Sequence, residues 1–279
     1  SPVASLKSMA NSIGANLSIR YGLKGPIETL ISACSAGSVA ISRGWESIRS
    51  GRLDIAVCGG AEYYGDRAGG VFMAFDKLGA LASSTLGGED LNRPFDESRS
   101  GFRFSQGAAC FLVLESREHA ECRVCDPFAE ITSAYTNSDA NSLVAISPSS
   151  NSIESLIDNA LIGAGLDYSE VDYVNAHGTS TIQNDAIESD ILLRLFGKKP
   201  LVNSTKSLLG HTIGASGAIE VAVTALSVAR GEVHPSRNLF EPINDLNYAA
   251  EQKRKPIKVG LTQNFGFGGH NVALVVTQV

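Results

Sequence analysis

Residues 172–181 read DYVNAHGTST, and residues 200–217 read PLVNSTKSLLGHTIGASG. Each stretch opens with a short apolar run and then enters a loop rich in small and polar residues. A helical pattern follows each loop, from about 184 to 196 and again from Ile219 onward. Strands that alternate with helices and stay mostly apolar predict a mixed α/β protein whose sheets are covered on both faces.

The same alternation continues in both directions along the chain. Further strands are predicted at 27–33, 53–62, 108–116, 128–136, 257–265 and 271–279, and further helices at 3–20, 39–51 and 152–165. The stretch from 65 to 107 is rich in Gly, Ser and Asp and is expected to be mostly loop. Because no low-complexity linker interrupts the pattern, we expect one unit built from two related halves, residues 1–125 and 126–279.

Composition excludes several classes of protein. The 279 residues are 43% hydrophobic and 19% charged, which suits a chain with a large core and not a disordered tail. Apolar runs fall far short of the ~20 residues that a bilayer requires, and no signal-peptide pattern opens the chain. With a net charge of −6 and no block of like charge, nucleic-acid binding is not expected. We therefore expect neither a membrane nor a nucleic-acid partner.

The cysteines point to a reducing compartment. There are five, an odd number scattered along the chain, and such a set does not form a disulfide framework. Cys122 and Cys125 form a CxxC, but no second CxxC or histidine pair stands at zinc-site spacing. Ordinary reduced thiols, no metal site and a cytoplasmic location are expected.

Cys34 is the first candidate for chemistry. It directly follows a predicted strand and precedes a predicted helix, with the small residues Ala33, Ser35, Ala36 and Gly37 around it. At that position the helix dipole and the first-turn N–H groups would favour a thiolate. The layout is analogous to the strand–turn–helix elbow of nucleophilic serines. Taken alone, the pattern also fits a cysteine that merely fills the core.

Three further candidates follow apolar strands. His177 lies at the carboxyl end of a strand, where open α/β sheets bind ligands, although a buried structural histidine fits as well. Lys206 stands among hydroxyl residues after a strand, which suggests a partly buried cation instead of a solvated one. His211 follows it in a loop too rich in small residues to be a surface loop. The segment NFGFGGHN at 264–271 lacks the context of a nucleotide site, so we favour backbone N–H groups aimed at a reacting carbonyl.

Taken together and in order, these motifs resemble those of one enzyme family. ACSAG (33–37), NAHGTST (175–181), STKSLLGH with GASGAIE (204–220) and NFGFGGHN (264–271) are similar to the motifs of elongating β-ketoacyl-[acyl carrier protein] synthases, members of the thiolase superfamily. GLKGP, CGGAE and RPFDESRSGF match as well, so the resemblance covers practically the whole chain. The family's chains carry further strands and helices ahead of the cysteine, and we expect such a segment to be missing here.

The resemblance implies a thiolase-like fold and a decarboxylative Claisen condensation. Cys34 would accept an acyl chain from the phosphopantetheine of an acyl carrier protein, with no bound cofactor. His177 and His211 would bind the malonyl thioester carbonyl through ring N–H groups, and Lys206 would tune the local field. The backbone N–H groups of Cys34 and Phe267 would form the oxyanion hole.

Further roles are implied by the same resemblance. Phe267 and Gly268 would gate the pocket, and the substrate contacts and supporting acids would be Thr179, Thr181, Gly269, Glu188 and Glu220. A dimer with a second copy or with a related subunit is implied, paired through the predicted strand at 27–33.

Three residues depart from the family pattern near the gate, namely Ser100, Gln106 and His270, and gating is expected to differ. A thiolase would supply a second cysteine in the glycine turn, and an initiating condensing enzyme an Asn in place of a second histidine. A chain-length factor would lack the nucleophile. The acyl chain length and the pathway, whether fatty acid, polyketide or polyene, stay open.

Overall fold

The computed structural model describes residues 9–65, 69–83, 91–149 and 151–279. The chain divides into two units with bounds Ser1–Ile31 and Ser32–Val279. In the described part of the first unit, helix α1 spans Ser12–Tyr21 and ends at Gly22, whose φ of 66° is the left-handed conformation common at helix ends. The predicted helix at 3–20 is thus confirmed from Ser12, and its first residues lie outside the described ones.

The second unit contains the remaining helices, which are short to medium in length. They are α2 (Ala36–Arg49), α3 (Gly70–Lys77), α4 (Arg117–Cys122), α5 (Asn151–Ala164), α6 (Ile182–Phe196), α7 (Lys206–Leu209) and α8 (Ser216–Arg230). The helices predicted after Cys34, at 152–165, at 184–196 and after 217 are all present.

The strands among the described residues of this unit form three sheets. The strands are β1 (Ile55–Tyr63), β2 (Gly107–Glu115), β3 (Glu130–Ser138), β4 (Tyr173–Asn175), β5 (Leu201–Asn203), β6 (Glu232–Val233), β7 (Lys253–Arg254), β8 (Val259–Gly266) and β9 (His270–Thr277). The main sheet has the order β3-β9-β8-β4-β5, with β4 parallel to both neighbours and β9 antiparallel to both of its own. Strands β1 and β2 pair antiparallel in a second sheet, and β6 and β7 form a small third one.

Helices α2 and α8 contact each other and both larger sheets, and α5 covers β3 and β9 of the main sheet. The two helices approach closely at Gly37, where an added Cβ would lie 2.6 Å from the Ala218 nitrogen. Strand β8 is buried along its whole length, as expected for a strand covered on both faces. This layering places the loops that precede α2 and α8 side by side.

One apolar segment of the second unit meets the length and composition expected of a membrane span. Among the described residues, Ile213–Arg230 does so, and 61% of that window is buried within the structure. Most of the segment is helix α8, which packs against both larger sheets as a core helix does.

One expectation about secondary structure is wrong. No strand forms at 27–33, because a strand needs ladder hydrogen bonds to a neighbour and this segment makes none with the described residues. The described residues of the stretch from 65 to 107 are mostly loop, as expected, but they also include helix α3, whose sequence GVFMAFDK is apolar and follows a left-handed Gly69. The Gly, Ser and Asp residues around this short helix dominate the composition of the stretch and so favour a loop.

Candidate active site

The Cys34 thiol lies in a tight turn at the start of α2. Residues 33–35 form a single 3₁₀ turn, and Ala33 adopts a φ of 49°, a conformation that costs free energy for any residue except glycine. The side chain is 2% exposed, and its sulfur lies 3.1 Å from Nε2 of His211. The tertiary structure therefore brings together a thiol and an imidazole that are 177 residues apart in the chain.

The His211 ring is held in one tautomer by the loop before α8. Its Nδ1 accepts the backbone N–H of Ile213 at 3.2 Å and lies 2.9 Å from Oγ of Ser216. An Nδ1 that accepts a hydrogen bond carries no proton, so in the neutral ring the proton is on Nε2. The Nε2–H therefore faces the Cys34 sulfur as a donor.

The His177 ring is held in the same tautomer by different partners. Its Nδ1 lies 3.3 Å from Nζ of Lys206 and 3.4 Å from Nδ2 of Asn264, and both of these groups are donors. The proton is again on Nε2, which makes no hydrogen bond to the residues described. The ring centroids of His177 and His211 are 5.9 Å apart, close enough for both to reach one ligand atom.

Lys206 is a buried cation, 1% exposed, with all three of its N–H groups engaged. It donates to the backbone oxygen of His177 at 2.6 Å, to Nδ1 of the same ring, and to Oε1 of Glu220 at 2.6 Å. The other Glu220 oxygen accepts Nδ2 of Asn264, whose Oδ1 accepts the Ser38 hydroxyl at 2.5 Å. A buried charge is tolerated in a protein when it is paired and fully hydrogen-bonded, as here.

Glu188 supports the loop that carries His177. Its carboxylate accepts the backbone N–H groups of His177 at 2.7 Å and Gly178 at 2.8 Å, together with Nε2 of Gln263 at 2.7 Å. A carboxylate that binds consecutive backbone N–H groups fixes the direction of the loop leaving β4. A supporting role without chemistry stays a prediction for this residue.

Sequence reasoning missed Asp185, which lies one helical turn before Glu188 on α6. It is fully buried and accepts backbone N–H groups from Phe95 at 2.8 Å and Ser180 at 3.0 Å. Residues three apart share one face of a helix. Two acids at this spacing, directly after a candidate histidine loop, were the signal that could have revealed it.

The electrostatics of the site are governed by burial. Burial, reinforced by the Lys206 charge, lowers the pKa of His177 and of His211 well below the ordinary value, so both rings are neutral. Burial raises the pKa of Cys34 to about 11, while Lys206 and backbone N–H groups act against it more weakly. The raised pKa favours the protonated thiol in the free protein, in contrast to the thiolate that the helix dipole was expected to favour. Burial of the sulfur outweighs the Lys206 charge and the backbone N–H groups of Phe267 and Cys34.

Glu188 and Glu220 complete this electrostatic picture. Burial raises the pKa of both carboxyl groups, and the nearby Lys206 charge acts in the opposite direction. The described residues contain no cluster of His, Cys, Asp and Glu able to hold a metal ion. The arrangement thus offers a buried thiol, two neutral N–H donors and one paired cation, which suits acyl transfer through a thioester.

Comparisons with known proteins agree with this chemistry. The family profiles described as "Beta-ketoacyl synthase, N-terminal domain" and "Beta-ketoacyl synthase, C-terminal domain" match residues 1–120 and 128–240. The chain is 36% identical to a 3-oxoacyl-[acyl-carrier-protein] synthase 2 of Mycobacterium tuberculosis (strain ATCC 25618 / H37Rv), covering 98% of this chain and 66% of the relative. This chain belongs to the β-ketoacyl synthase family.

Solved structures of the family carry the same fold. A type II polyketide ketosynthase, solved with its acyl-carrier protein and bound to the hexaketide, is 32% identical with a TM-score of 0.91, covering 96% of this chain and 67% of that one. A β-ketoacyl synthase from Burkholderia phymatum STM815 is 36% identical with a TM-score of 0.88, covering 96% and 65%. The predicted thiolase-like α/β fold is confirmed, and this chain spans about two thirds of the length of these relatives.

The glycine turn of this chain lies against Cys34. The backbone N–H groups of Phe267 and of Cys34 itself are directed at the Cys34 sulfur, where both lower its pKa. Gly268 and Gly269 have φ values of 88° and 79°, which side chains rarely adopt. An added Cβ at Gly266 would lie 2.4 Å from the Ser32 oxygen. Glycine is therefore required both for the turn and for its close approach to the cysteine loop.

A second loop is hydrogen-bonded to this turn. The N–H of Gly268 donates to the Leu143 oxygen at 2.9 Å, and the N–H of Asp139 donates to the Gly269 oxygen at 3.1 Å.

The hydroxyls of Thr179 and Thr181 lie 2.8 Å apart and form a hydrogen bond with each other. Because two hydroxyls share one hydrogen in such a pair, the second hydrogen is available to a ligand.

The three departures from the family pattern lie in different places. His270 is exposed and follows the glycine turn, and a Cβ at Gly268 would lie 3.4 Å from its ring. Ser100 donates to the Ser83 oxygen at 3.3 Å, and Gln106 lines a separate cleft. An altered gate through these residues stays a prediction.

Proposed function

We propose that this chain carries the condensing site of an elongating β-ketoacyl synthase, which joins a Cys34-bound acyl group to malonyl carrier protein with loss of CO₂. The observation that carries the proposal is the 3.1 Å approach of His211 Nε2–H to the Cys34 sulfur, with the second Nε2–H donor of His177 beside it. Two neutral N–H donors at one point suit an oxygen that gains negative charge.

In the first step, the Cys34 sulfur attacks the acyl thioester of the carrier's phosphopantetheine. A new carbon–sulfur bond forms to Cys34, the bond to the pantetheine sulfur breaks, and the thiol proton ends on that leaving sulfur. The N–H groups of Cys34 and Phe267 receive the oxyanion of the tetrahedral intermediate. His211 does not take the thiol proton in its observed tautomer, because its Nε2 already carries one.

In the second step, malonyl carrier protein binds with its thioester oxygen between the two imidazoles. The bond to the carboxylate breaks, CO₂ leaves, and its electron pair becomes an enolate held by the Nε2–H groups of His177 and His211. Burial, reinforced by the Lys206 charge, keeps both rings neutral, and Lys206 fixes the His177 tautomer through Nδ1. Neutral donors strengthen as charge develops on the oxygen, which favours the transition state over the ground state.

In the third step, the enolate carbon attacks the acyl carbonyl on Cys34. The carbon–carbon bond forms, the bond to the Cys34 sulfur breaks, and the sulfur takes a proton from solvent. One proton is therefore consumed for each CO₂ released.

Several properties of the whole protein belong to this proposal. We infer an acyl carrier protein as the partner that delivers both substrates, no bound cofactor, a dimer with a like or related subunit, and a cytoplasmic location with its free thiols reduced. We also take 1–125 and 126–279 as the two halves, supported by the profile matches at 1–120 and 128–240. Acyl chain length and pathway are not assigned.

The test measures CO₂ release from malonyl carrier protein and, separately, the mass of acylated Cys34. Replacing His177 or His211 by Ala is expected to lower CO₂ release by about 10²–10³-fold each, the usual loss for one oxyanion donor, while Cys34 still takes up an acyl group. Cys34→Ala should abolish acylation and condensation. The matched control is His119→Ala, which removes a partly exposed imidazole paired with Glu115, away from the site.

An unchanged CO₂ release in both histidine variants would overturn the proposal. Absence of acyl transfer to Cys34 in the unmodified chain would instead favour a non-catalytic, chain-length-factor-like subunit. Condensation of two acyl-CoA molecules without CO₂ release would favour thiolase chemistry.

A further inference from the structure

A buried amide, that of Asn264, contacts three other elements of the second unit. Asn264 lies near the end of β8, where it is 0% exposed and pairs with Val272 of β9. Its side chain contacts Ser38 of α2, His177 after β4 and Glu220 of α8. A buried amide costs free energy unless its groups are hydrogen-bonded, so these three contacts fix its position.

The orientation of this amide is set by a donor on one side and an acceptor on the other. The Ser38 hydroxyl donates to Oδ1 of Asn264 at 2.5 Å, and Nδ2 donates to the Glu220 carboxylate. A rotation of the amide by half a turn would place its oxygen against that carboxylate, and two acceptors repel each other. The Nδ2 group is therefore directed at Glu220 and at Nδ1 of His177.

A glycine makes room for the hydrogen bond between Ser38 and Asn264. At Gly217, the second residue of α8, an added Cβ would lie 2.3 Å from Oγ of Ser38 and 2.8 Å from Oδ1 of Asn264. Ser38 lies in the first turn of α2, directly after the turn that carries Cys34. Hydrogen bonds therefore run from the helix behind Cys34 through Asn264 to the ring of His177.

Lys206 does not hold the His177 ring by a short bond. Its Nζ lies 2.6 Å from the His177 backbone oxygen and 2.6 Å from Oε1 of Glu220, but 3.3 Å from Nδ1 of the ring. Nδ2 of Asn264 lies 3.4 Å from the same Nδ1. Hydrogen bonds in proteins are usually about 2.7–3.2 Å long, so the ring depends on two weak donors instead of one strong donor. The loss of either donor should weaken the preference for one tautomer.

We propose that Asn264 is a positioning residue that selects the Nε2–H tautomer of His177. The described residues hydrogen-bonded to Nδ1 are both donors, Asn264 and Lys206, so a proton on Nδ1 would oppose their N–H groups. An acceptor in place of Nδ2 would reverse this preference. The consequence for catalysis rests on the proposed function, in which the Nε2–H of His177 holds the malonyl thioester oxygen. The tautomer itself can be measured without substrate.

Nitrogen NMR of the full chain labelled with ¹⁵N-histidine tests the proposal. The two ring nitrogens differ in chemical shift between the tautomers, and the spectrum of His177→Ala identifies the His177 signals. The unmodified chain should show the Nε2–H form of His177 throughout the neutral and mildly alkaline pH range. The ring stays neutral there because burial and the Lys206 charge hold its pKa well below the ordinary value.

Asn264→Asp preserves the size of the side chain but replaces the Nδ2 donor by an acceptor. The new carboxyl group would face Glu220 and Nδ1 of His177, and two facing acids share a proton at low pH and lose it as the pH rises. The carboxylate then accepts a hydrogen bond from Nδ1–H, so the ratio of the Nδ1–H to the Nε2–H form of His177 should rise at least tenfold with pH. The other titratable groups around this pair are unchanged in the variant, namely Lys206, Glu188, His211 and Cys34.

Two neutral variants separate the donor from the shape of the side chain. Asn264→Ser introduces a hydroxyl that can donate to Nδ1, so the Nε2–H form should be kept. Asn264→Leu has no donor and should show a measurable Nδ1–H population, which provides the test if Asn264→Asp does not fold. The matched control is Asn151→Asp, the same change at an exposed residue that begins α5, and it should leave His177 as in the unmodified chain.

CO₂ release from malonyl carrier protein separates this inference from the proposed function. Where the Nδ1–H form predominates in Asn264→Asp, CO₂ release should fall about 10²–10³-fold, as for the loss of one oxyanion donor, while Cys34 still takes up an acyl group. A change of tautomer with unchanged CO₂ release would support the role of Asn264 and contradict the proposed condensation. An Nε2–H form that persists in folded Asn264→Asp at every pH, or in Asn264→Leu where the acid variant does not fold, would overturn the role of Asn264.

Discussion

The thiol of Cys34 should be almost entirely protonated over the physiological pH range, and it should therefore be alkylated slowly. Burial raises its pKa to about 11, so at pH 8 only about one molecule in a thousand carries the thiolate. An unperturbed peptide thiol, with a pKa of ~8.5, is about one quarter ionised at that pH. Only the thiolate is alkylated, so the ionised fraction alone predicts a rate about two hundredfold lower for Cys34.

Intrinsic nucleophilicity offsets part of this loss. A thiolate of higher pKa is more nucleophilic. With a Brønsted coefficient of about 0.4–0.5, the difference of about 2.5 pKa units raises the rate constant of the Cys34 thiolate roughly tenfold. The expected net rate at pH 8 is about twentyfold below that of a free cysteine peptide. Burial also restricts access of the reagent, but this factor does not change with pH.

The assay is iodoacetamide labelling between pH 7 and 11, with the Cys34 peptide quantified by mass spectrometry. Because access contributes a constant factor, the shape of the pH profile is the readout. The rate constant should rise about tenfold per pH unit up to about pH 10. Cys122, which is exposed, serves as the internal reference for reagent concentration. A Cys34 rate that levels off at pH 7–8 would show a thiolate in the free protein and refute the dominance of burial.

Two further predictions concern stability. Burial raises the pKa of Asp185 to about 7, so between about pH 4 and 7 the folded state keeps a proton that the unfolded state has lost, and stability falls as pH rises. The Asp185→Asn variant has no proton to lose, so its stability should not fall in this way. The difference in unfolding free energy between the variant and the unmodified chain, measured by urea unfolding, should rise by about 1.4 kcal/mol per pH unit over that range and then stay level. A difference that does not change with pH would contradict a buried, protonated acid. Gly60→Ala places a Cβ 2.2 Å from the Gly214 oxygen and should lower the free energy of unfolding by about 1–3 kcal/mol in the same assay. The control is Gly25→Ala, whose Cβ meets no atom within 4 Å, and an equal loss in both variants would argue against the close approach.

Sequence patterns are most reliable where an element is defined by its own residues. Strands β8 and β9 and helices α5 and α8 have continuous apolar or amphipathic patterns, and each lies where predicted. The segment at 27–33, IETLISA, also suits a strand but forms none, because pairing depends on a neighbour and not on the segment itself. Local pattern therefore predicts strand propensity there but not strand formation.

The candidate site divides in a similar way. The positions of Cys34, His177 and His211 at the ends of predicted strands point to chemistry from sequence alone, and the family motifs add Lys206. Asp185 was missed because an acid on a helix usually faces solvent. Its burial depends on the loop around Phe95, which approaches α6 only in the folded chain.

By itself, the sequence determined the mixed α/β class, the order of most strands and helices, and the identity of the thiol and imidazoles. Those features depend on residue type and spacing, which are local. Only the tertiary structure decided that the thiol is protonated, that both imidazoles carry their proton on Nε2, and that Lys206 is fully paired. These properties depend on burial and on hydrogen bonds between segments up to 226 residues apart, and no local pattern encodes how far a group is removed from water.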